Sequence, residues 1–276
     1  MTRTFWRKVI RKPGFVFGVI VLVPMVIAAI FAQQLAPYAP NDMLNQRYVP
    51  PLSPGHLLGT DNLGRDIFSR LLHGARLSLV VGFLAIAIAL GIGTLLGVVA
   101  GYLKGAVDNV IMRVMDVLLA FPDVLLALIV ITMLGPGLLN VMIALGVAGI
   151  PGYTRLARSA TLEVAAFDYV EASRSLGNSK PGILFRHVLP NMIQPVLVVA
   201  TLGIAGAILA AAALSFIGLG APPGTAEWGS MLSDARTYMR RAWWMAALPG
   251  ITITLAVLAI SLMGEALRDV LDPRLK

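Results

Sequence analysis

The sequence predicts an all-α, polytopic membrane protein with six transmembrane helices, and three observations carry that expectation. Of its 276 residues, 58% are hydrophobic and only 13% charged, too little polar surface to coat a soluble globule of this size. Six apolar runs stand at residues 15–32, 77–100, 107–134, 138–156, 192–219 and 246–267. Each is close to or above the roughly 20 helical residues that cross a hydrocarbon core about 30 Å thick. Most lysines and arginines lie between these runs, where they report topology.

The first run follows a basic stretch, Arg3, Arg7, Lys8, Arg11 and Lys12, in the manner of a signal peptide. It is longer than the about 7–15 apolar residues of a signal core, and no small-residue cleavage site follows it. An uncleaved first span with a cytoplasmic N-terminus is therefore expected. Residues 37–76 are proline-rich and polar and form the first external loop, with a short interfacial helix predicted over 66–73, where apolar residues recur at helical spacing. The third run carries Arg113, Asp116 and Asp123. With the N-terminus inside, 15 of the 22 lysines and arginines fall on cytoplasmic segments, so both termini are expected in the cytoplasm. The last external loop, with Arg236, Arg240 and Arg241 beside Trp243 and Trp244, runs against the rule, but such arginines can reach headgroups from an aromatic belt. The chain divides into 1–76, an N-terminal span with a periplasmic loop, and 77–276, a five-helix core with a cytoplasmic loop at about 157–191.

The net charge of +8 does not form a basic stripe interleaved with aromatics, so no nucleic-acid partner is expected and the lipid membrane is. Cysteine is absent, which excludes disulfides and thiol chemistry. His56, His73 and His187 lie far apart without metal-ligand spacing, and the Gly-x-Ser-x-Gly nucleophile elbow is missing, so neither a metal site nor a catalytic residue is expected. The phosphate-cradling loop Gly-x-x-x-x-Gly-Lys-Ser/Thr is missing too, so the chain should not hydrolyse ATP alone. Glycine and alanine crowd the spans at Gly91, Gly93, Gly97, Gly101, Gly146, Gly149 and 203–213. They suit close helix packing, or faces that slide on gating.

The connection at 157–191 is much longer than a turn between two spans requires, and long ordered loops tend to carry function. Residues 162–176 read as one amphipathic helix and 181–189 as a second. Between them Gly177 suits a left-handed helix-ending position and Pro181 the first turn of the next helix. A helix-turn-helix on the cytoplasmic face is predicted.

Within it, Glu171-Ala172-Ser173, the glycine six positions after the glutamate, and Leu189-Pro190 resemble the signature loop of bacterial ATP-binding-cassette (ABC) importer permeases. Ser173 departs from the family's second alanine. His187 stands where many members have isoleucine, and Arg186-His187-Val-Leu-Pro-Asn191 is similar to the dipeptide, oligopeptide and nickel subfamily. Gly59-Thr-Asp-Asn-Leu-Gly-Arg-Asp66, Met112-Arg-Val-Met-Asp116 with Ala120-Phe-Pro122, Ser215-Phe-Ile-Gly-Leu-Gly220 and Leu267-Arg-Asp-Val-Leu-Asp-Pro-Arg274 are similar to its C-type permease subunit, in order, over roughly 220 residues.

The resemblance implies the type I permease fold in a bacterial cytoplasmic (inner) membrane. It implies partners as well: a second, homologous permease forming a heterodimer, two cytoplasmic ATPases that hold ATP and Mg while this chain holds no cofactor, and an external solute-binding protein. It assigns ATPase coupling to Glu171, Ala172, Ser173, Gly177, His187, Leu189 and Pro190. The solute would be a di- or oligopeptide or a related small molecule such as a nickel chelate or glutathione.

Residue chemistry alone leaves alternatives open. Glu171 and Arg174, three apart, can simply form a surface pair. Asp116 can pair with Arg113, also three apart, or both Asp116 and Asp123 can serve as ion-coupling groups of an ATP-independent secondary carrier or channel. Asp123, next to Pro122, can polarise a local helix break. Arg65, Asp66 and Trp228 are candidate external docking surface or structural loop residues.

Overall fold

In the computed structural model, which describes residues 9–43 and 46–271, the chain is a bundle of long helices with a folded cap at one end. Arg3, Arg7, Lys8, Arg274 and Lys276 lie outside the described residues. Helix α1, Pro13–Ile30, begins with proline in its first turn, where the missing N–H costs nothing. A four-residue α2, Ala32–Leu35, follows. Helix α3, Ile67–Leu103, is 37 residues long and starts at Asp66, whose carboxylate accepts from the Ser69 backbone N–H at 2.8 Å. The separate interfacial helix expected over 66–73 is therefore the outer end of this span.

The third expected span is broken. Helix α4, Gly105–Leu119, and α5, Asp123–Leu134, meet at 91°, because Pro122 has no N–H to continue the ladder and turns its predecessor out of helical geometry. Asp123 opens α5, where helix polarity favours a carboxylate. Helix α6, Leu138–Ala165, contains the fourth expected crossing. Its 28 residues reach about 42 Å, and its C-terminal half carries Arg155, Arg158 and Glu163. Helix α7, Asp168–Ser175, lies in the connecting loop. Helix α8, Lys180–Ile183, a π-helical turn Leu184–Val188 and helix α9, Leu189–Phe216, then run on as one span. Helix α10, Trp228–Ala235, belongs to the cap, and α11, Trp244–Leu271, closes the bundle. Among the described residues, four helical segments are long and apolar enough to cross a membrane, five with the bent pair counted as one; α6, which holds the fourth expected crossing, is not one of them.

The most extensive helix contact joins α3 to α6. Gly93, Gly97 and Gly101 place one bare stripe along α3, and the α6 carbonyls of Ile150, Thr154 and Arg158 lie against it. A side chain at any of the three would strike backbone. Lipid gives no hydrophobic drive for association, so this approach rests on close van der Waals packing. Outside this pair, α1 packs on α11, with Gly18 seated on Met263. Lys12 and Asp269 pair at 2.8 Å, so the start of α1 and the end of α11 share one face. The 166–180 loop sits on that same face, pinned by the Tyr102 hydroxyl donating to the Lys180 carbonyl at 2.6 Å near the end of α3.

The opposite face is closed by residues 37–43 and 46–66 interlocked with 218–243. Asp61 accepts from the Leu63 and Arg65 backbone N–H groups and from Arg65 Nε at 2.6 Å, while Asp66 also accepts from the Ser69 hydroxyl and pairs with His56 at 2.9 Å. Arg70 donates to the carbonyls of Pro40, Gly224 and Thr225, tying the two segments together. Trp228 buries its ring and donates to the Leu71 carbonyl at 3.1 Å. Arg65, Asp66 and Trp228 are 3%, 1% and 1% exposed, so they hold the cap together from within and do not form its docking surface.

Candidate functional site

The loop between α6 and α9 is built from a helix that must stop and a chain that must restart. Helix α7 ends in a Schellman motif: the Asn178 N–H reaches the Ser173 carbonyl at 3.3 Å, and the Gly177 N–H reaches the Arg174 carbonyl at 3.0 Å. This places Gly177 at φ +81°, a left-handed conformation that glycine alone adopts without strain. No atom lies within 4 Å of a Cβ built there, so the requirement on Gly177 is conformational and not one of space. The Ser173 hydroxyl accepts from Asn178 Nδ2 at 3.0 Å, a second tie across the turn that alanine could not make. The serine that departs from the family pattern thus has its own partner.

The restart is equally specified. Ser179 caps α8 by accepting from the Gly182 N–H, and Pro181 occupies its first turn. The expected second helix over 181–189 does not end at Leu189. Proline at 190 cannot donate to the ladder, and the chain absorbs this with the π-helical turn just before it, in which the Leu189 N–H reaches back to the Leu184 carbonyl. Asn191 Nδ2 donates to the His187 carbonyl at 2.7 Å beside it. The first expected run also differs, since α6 stops at Ala165 and a bend at 166–167 separates it from α7.

Four side chains anchor this loop: Val170, Ser173, Ile183 and Val188 are buried. His187 is half-buried and meets the Tyr169 ring edge-on at 6.1 Å, which joins α7 to the π turn. The outer surface is amphipathic. Phe167, Tyr169, Leu176 and Phe185 stay exposed, Leu176 at 83%, and Glu171 and Arg174 pair beside them at 2.8 Å with both ends in solvent. Glu171 and Ala172 are exposed, while Leu189 is half-buried and Pro190 exposed where the loop enters α9. The structure thus brings Glu171, Ala172, Ser173, Gly177 and His187 into one compact unit, with Leu189 and Pro190 at its exit.

The one nearby ion pair that sequence spacing suggested does not form. Asp116 pairs with Arg155 of α6 at 2.8 Å and not with Arg113. Arg158 grips Asp108 with two parallel hydrogen bonds, one of them 2.6 Å. Both pairs tie α4 to α6 close to the loop, and only contacts 39 and 50 residues apart in sequence could have disclosed them. Among the described residues no group of three metal-ligating side chains occurs.

An exposed, charged and apolar helix pair, rigidly joined to long spans on the face opposite a folded cap, defines the membrane-embedded part of a solute transporter of the type I permease fold. The chain belongs to the binding-protein-dependent transport system inner membrane component family, whose profile matches residues 93–276. The profile of the N-terminal transmembrane domain of oligopeptide transport permease C matches residues 1–51. It is 47% identical over 280 residues to the di/tripeptide transport system permease protein DppC of Pseudomonas aeruginosa, covering 99% of this chain and 92% of that one. The dipeptide transport system permease DppC of Escherichia coli is 46% identical, with 99% and 93% covered. The glutathione transport system permease GsiD of Pectobacterium atrosepticum is 44% identical, with 99% and 91% covered. Among solved structures, an inward-facing MetNI methionine ABC transporter superposes with a TM-score of 0.60 at 18% identity, over 74% of this chain and 97% of its own. The chain is a multi-pass inner-membrane permease subunit of an ABC importer, a transport component and not an enzyme, in a family that works with ATPase and substrate-binding partners.

Proposed function

We propose that this permease carries short peptides into the cytoplasm and that the 166–191 loop is the element through which ATP hydrolysis drives it. The observation that carries the reading is the loop's outer surface: Leu176 and Phe185 stand 83% and 67% exposed on a unit that is otherwise fixed by a Schellman turn, the Tyr102 tether and the Tyr169–His187 contact. Exposed apolar side chains beside Glu171 and Arg174 suit a protein groove. A rigid unit pushed there displaces α6 and α9 together, since the loop is covalently continuous with both. Glu171, Ala172, Gly177, His187, Leu189 and Pro190 then serve coupling, with Ser173 fixing the turn through Asn178.

The partners are a second, homologous permease, two ATPases holding ATP and Mg, and an external solute-binding protein. The loop face, with Lys12, Lys104 and Lys180, lies in the cytoplasm and the cap lies outside, an arrangement supported by the positive-inside bias and by the Lys12–Asp269 pair that brings both ends of the chain to one face. Residues 77–276 form the transport core and 1–76 an addition, which fits the three-quarters of the chain that superposes on the methionine transporter. Near-full-length similarity extends to di/tripeptide and dipeptide permeases at 47% and 46% identity and to a glutathione permease at 44%, and the peptide permeases make peptides the solute proposed. The pairing of Asp116 with Arg155 argues against that carboxylate as an ion-coupling group of a secondary carrier.

The test is purification of the chain from its native membrane in mild detergent, followed by reconstitution with whatever co-purifies. Recovery of a second permease and an ATPase, with uptake of labelled di- and tripeptides that needs ATP, supports the proposal. Uptake that persists without ATP and collapses with the proton gradient would overturn it.

A further inference from the structure

Between α5, α6 and α9, within the membrane-spanning part, lies a cavity of about 720 Å³. Four of its lining residues are glycines. Gly152 of α6 and Gly206 of α9 line it, and nothing stands within 4 Å of a Cβ built on either. Helix packing accounts for Gly93, Gly97 and Gly101, whose missing side chains admit a neighbouring helix, but not for these two, which face open space.

Two polar groups meet this space. Asp123, exposed in the first turn of α5, lines it and has no hydrogen-bond or ion-pair partner among the described residues. Tyr153 is only 8% exposed, yet its hydroxyl, lying directly over Gly203 in the cavity wall, also has no partner among them. A phenol left unpaired in an apolar wall is costly unless water or a solute reaches it, and the exposed carboxylate on the same space is open to a ligand. Asp123 is the only carboxylate, and no Lys, Arg or His is present, among the residues lining the cavity. The site is therefore poised for a cation.

We propose that this cavity is a station on the solute path, where the Asp123 carboxylate receives the ammonium group of a peptide's amino terminus and the Tyr153 hydroxyl hydrogen-bonds its backbone. The station rests on the peptide-importer reading. Its volume falls within the range of small-molecule sites, which accommodates a di- or tripeptide. One carboxylate in glycine-lined surroundings gives a contact specific for positive charge yet weak enough to release, as a transit site requires.

The chain contains no cysteine, so a single G206C substitution reports on this space without background. In the assembled transporter with cysteine-free partners, thiol reagents of equal size and opposite charge are applied in water, and peptide uptake is measured per ATP hydrolysed. The G206C thiol is expected to react with both reagents, faster with the cation by on the order of tenfold, and the preference should vanish when D123N is added. D123N alone should lower peptide taken up per ATP, D123E should restore it, and Y153F should cause a smaller loss. An unreactive thiol in G206C would mean that lipid or the partner permease covers the groove, and would overturn the proposal. So would wild-type uptake per ATP in D123N. If the unaltered assembly shows no ATP-driven peptide uptake, the importer reading fails and the station with it.

Discussion

Asn178 Nδ2 donates to Ser173 Oγ at 3.0 Å across the turn that ends α7, in parallel with the backbone bond from the Asn178 N–H to the Ser173 carbonyl. The turn is thus tied twice, once by a bond any sequence could make and once by a bond that needs this serine. S173A should keep the fold, because the Schellman bonds remain, and cost about 0.5–1.5 kcal/mol locally. Amide hydrogen exchange at 176–179 should rise while uptake falls little. Unchanged exchange there would show that the side-chain tie adds nothing.

Gly177 is a stricter case. Its φ of +81° lies far from the −65° that proline enforces, so G177P must dismantle the Schellman turn, while G177A should cost about 1–2 kcal/mol for a left-handed alanine. The spans do not depend on this turn, so both variants should insert and purify normally. Peptide uptake per ATP should fall modestly in G177A and almost completely in G177P. On the coupling role proposed for the loop, E171K should behave like G177P in uptake, with the turn itself intact. Full uptake by G177P would remove the loop from the coupling mechanism.

The glycines of the spans separate by what each would meet. At Gly97 a new Cβ runs into the Thr154 carbonyl and Ala157, and backbone cannot yield, so G97V should destabilise by more than the about 1–3 kcal/mol typical of overpacking. At Gly91 nothing lies within 4 Å, and G91A should be neutral or slightly stabilising through helix propensity. Thermal unfolding of the two proteins in detergent, followed by size-exclusion chromatography, distinguishes them. Equal stability would mean that α3 and α6 do not approach as closely as described.

These glycines also mark how far sequence carries. The crowding of glycine and alanine in the spans announced close packing, and Gly177 with Pro181 announced the turn, because each rests on local backbone geometry. Sequence did not disclose which glycines meet a helix and which face a cavity, since Gly97 and Gly206 look alike until their neighbours are placed. Pro122 signalled a break, but not its 91° angle, nor that α5 would lie against α6. Asp116 took a partner 39 residues away over one three residues away, and the cap's charges became interior because two distant segments interlock around them. Each miss involves a choice among partners that only tertiary contact makes.

The two ion pairs that tie α4 to α6 should differ in strength. Asp116 and Arg155 are each more than half exposed, so their coupling should be at most about 1 kcal/mol and screened by salt. Asp108 and Arg158 are 12% and 31% exposed in their side chains and share two parallel hydrogen bonds, so their double-mutant coupling energy should be larger and survive high salt. The cycles D108N/R158Q and D116N/R155Q, measured by thermal unfolding at low and high salt, check both. Equal couplings would mean that burial of Asp108 does not strengthen its pair.

The cap provides a control that separates stability from coupling. Trp228 is 1% exposed, fills the space beside Gly74 and donates to the Leu71 carbonyl, so W228A should cost about 3–5 kcal/mol and lower the yield of folded protein. W228F keeps most of the ring's packing and leaves the Leu71 carbonyl without this donor, a loss of about 1–3 kcal/mol. Because the cap lies at the far end of the spans from the loop, the protein that does fold should still take up peptide at the wild-type ratio to ATP hydrolysed. Measuring that ratio in W228F beside G177P tests the division of labour directly. A fall in the ratio with W228F would show that the cap also transmits the transport stroke.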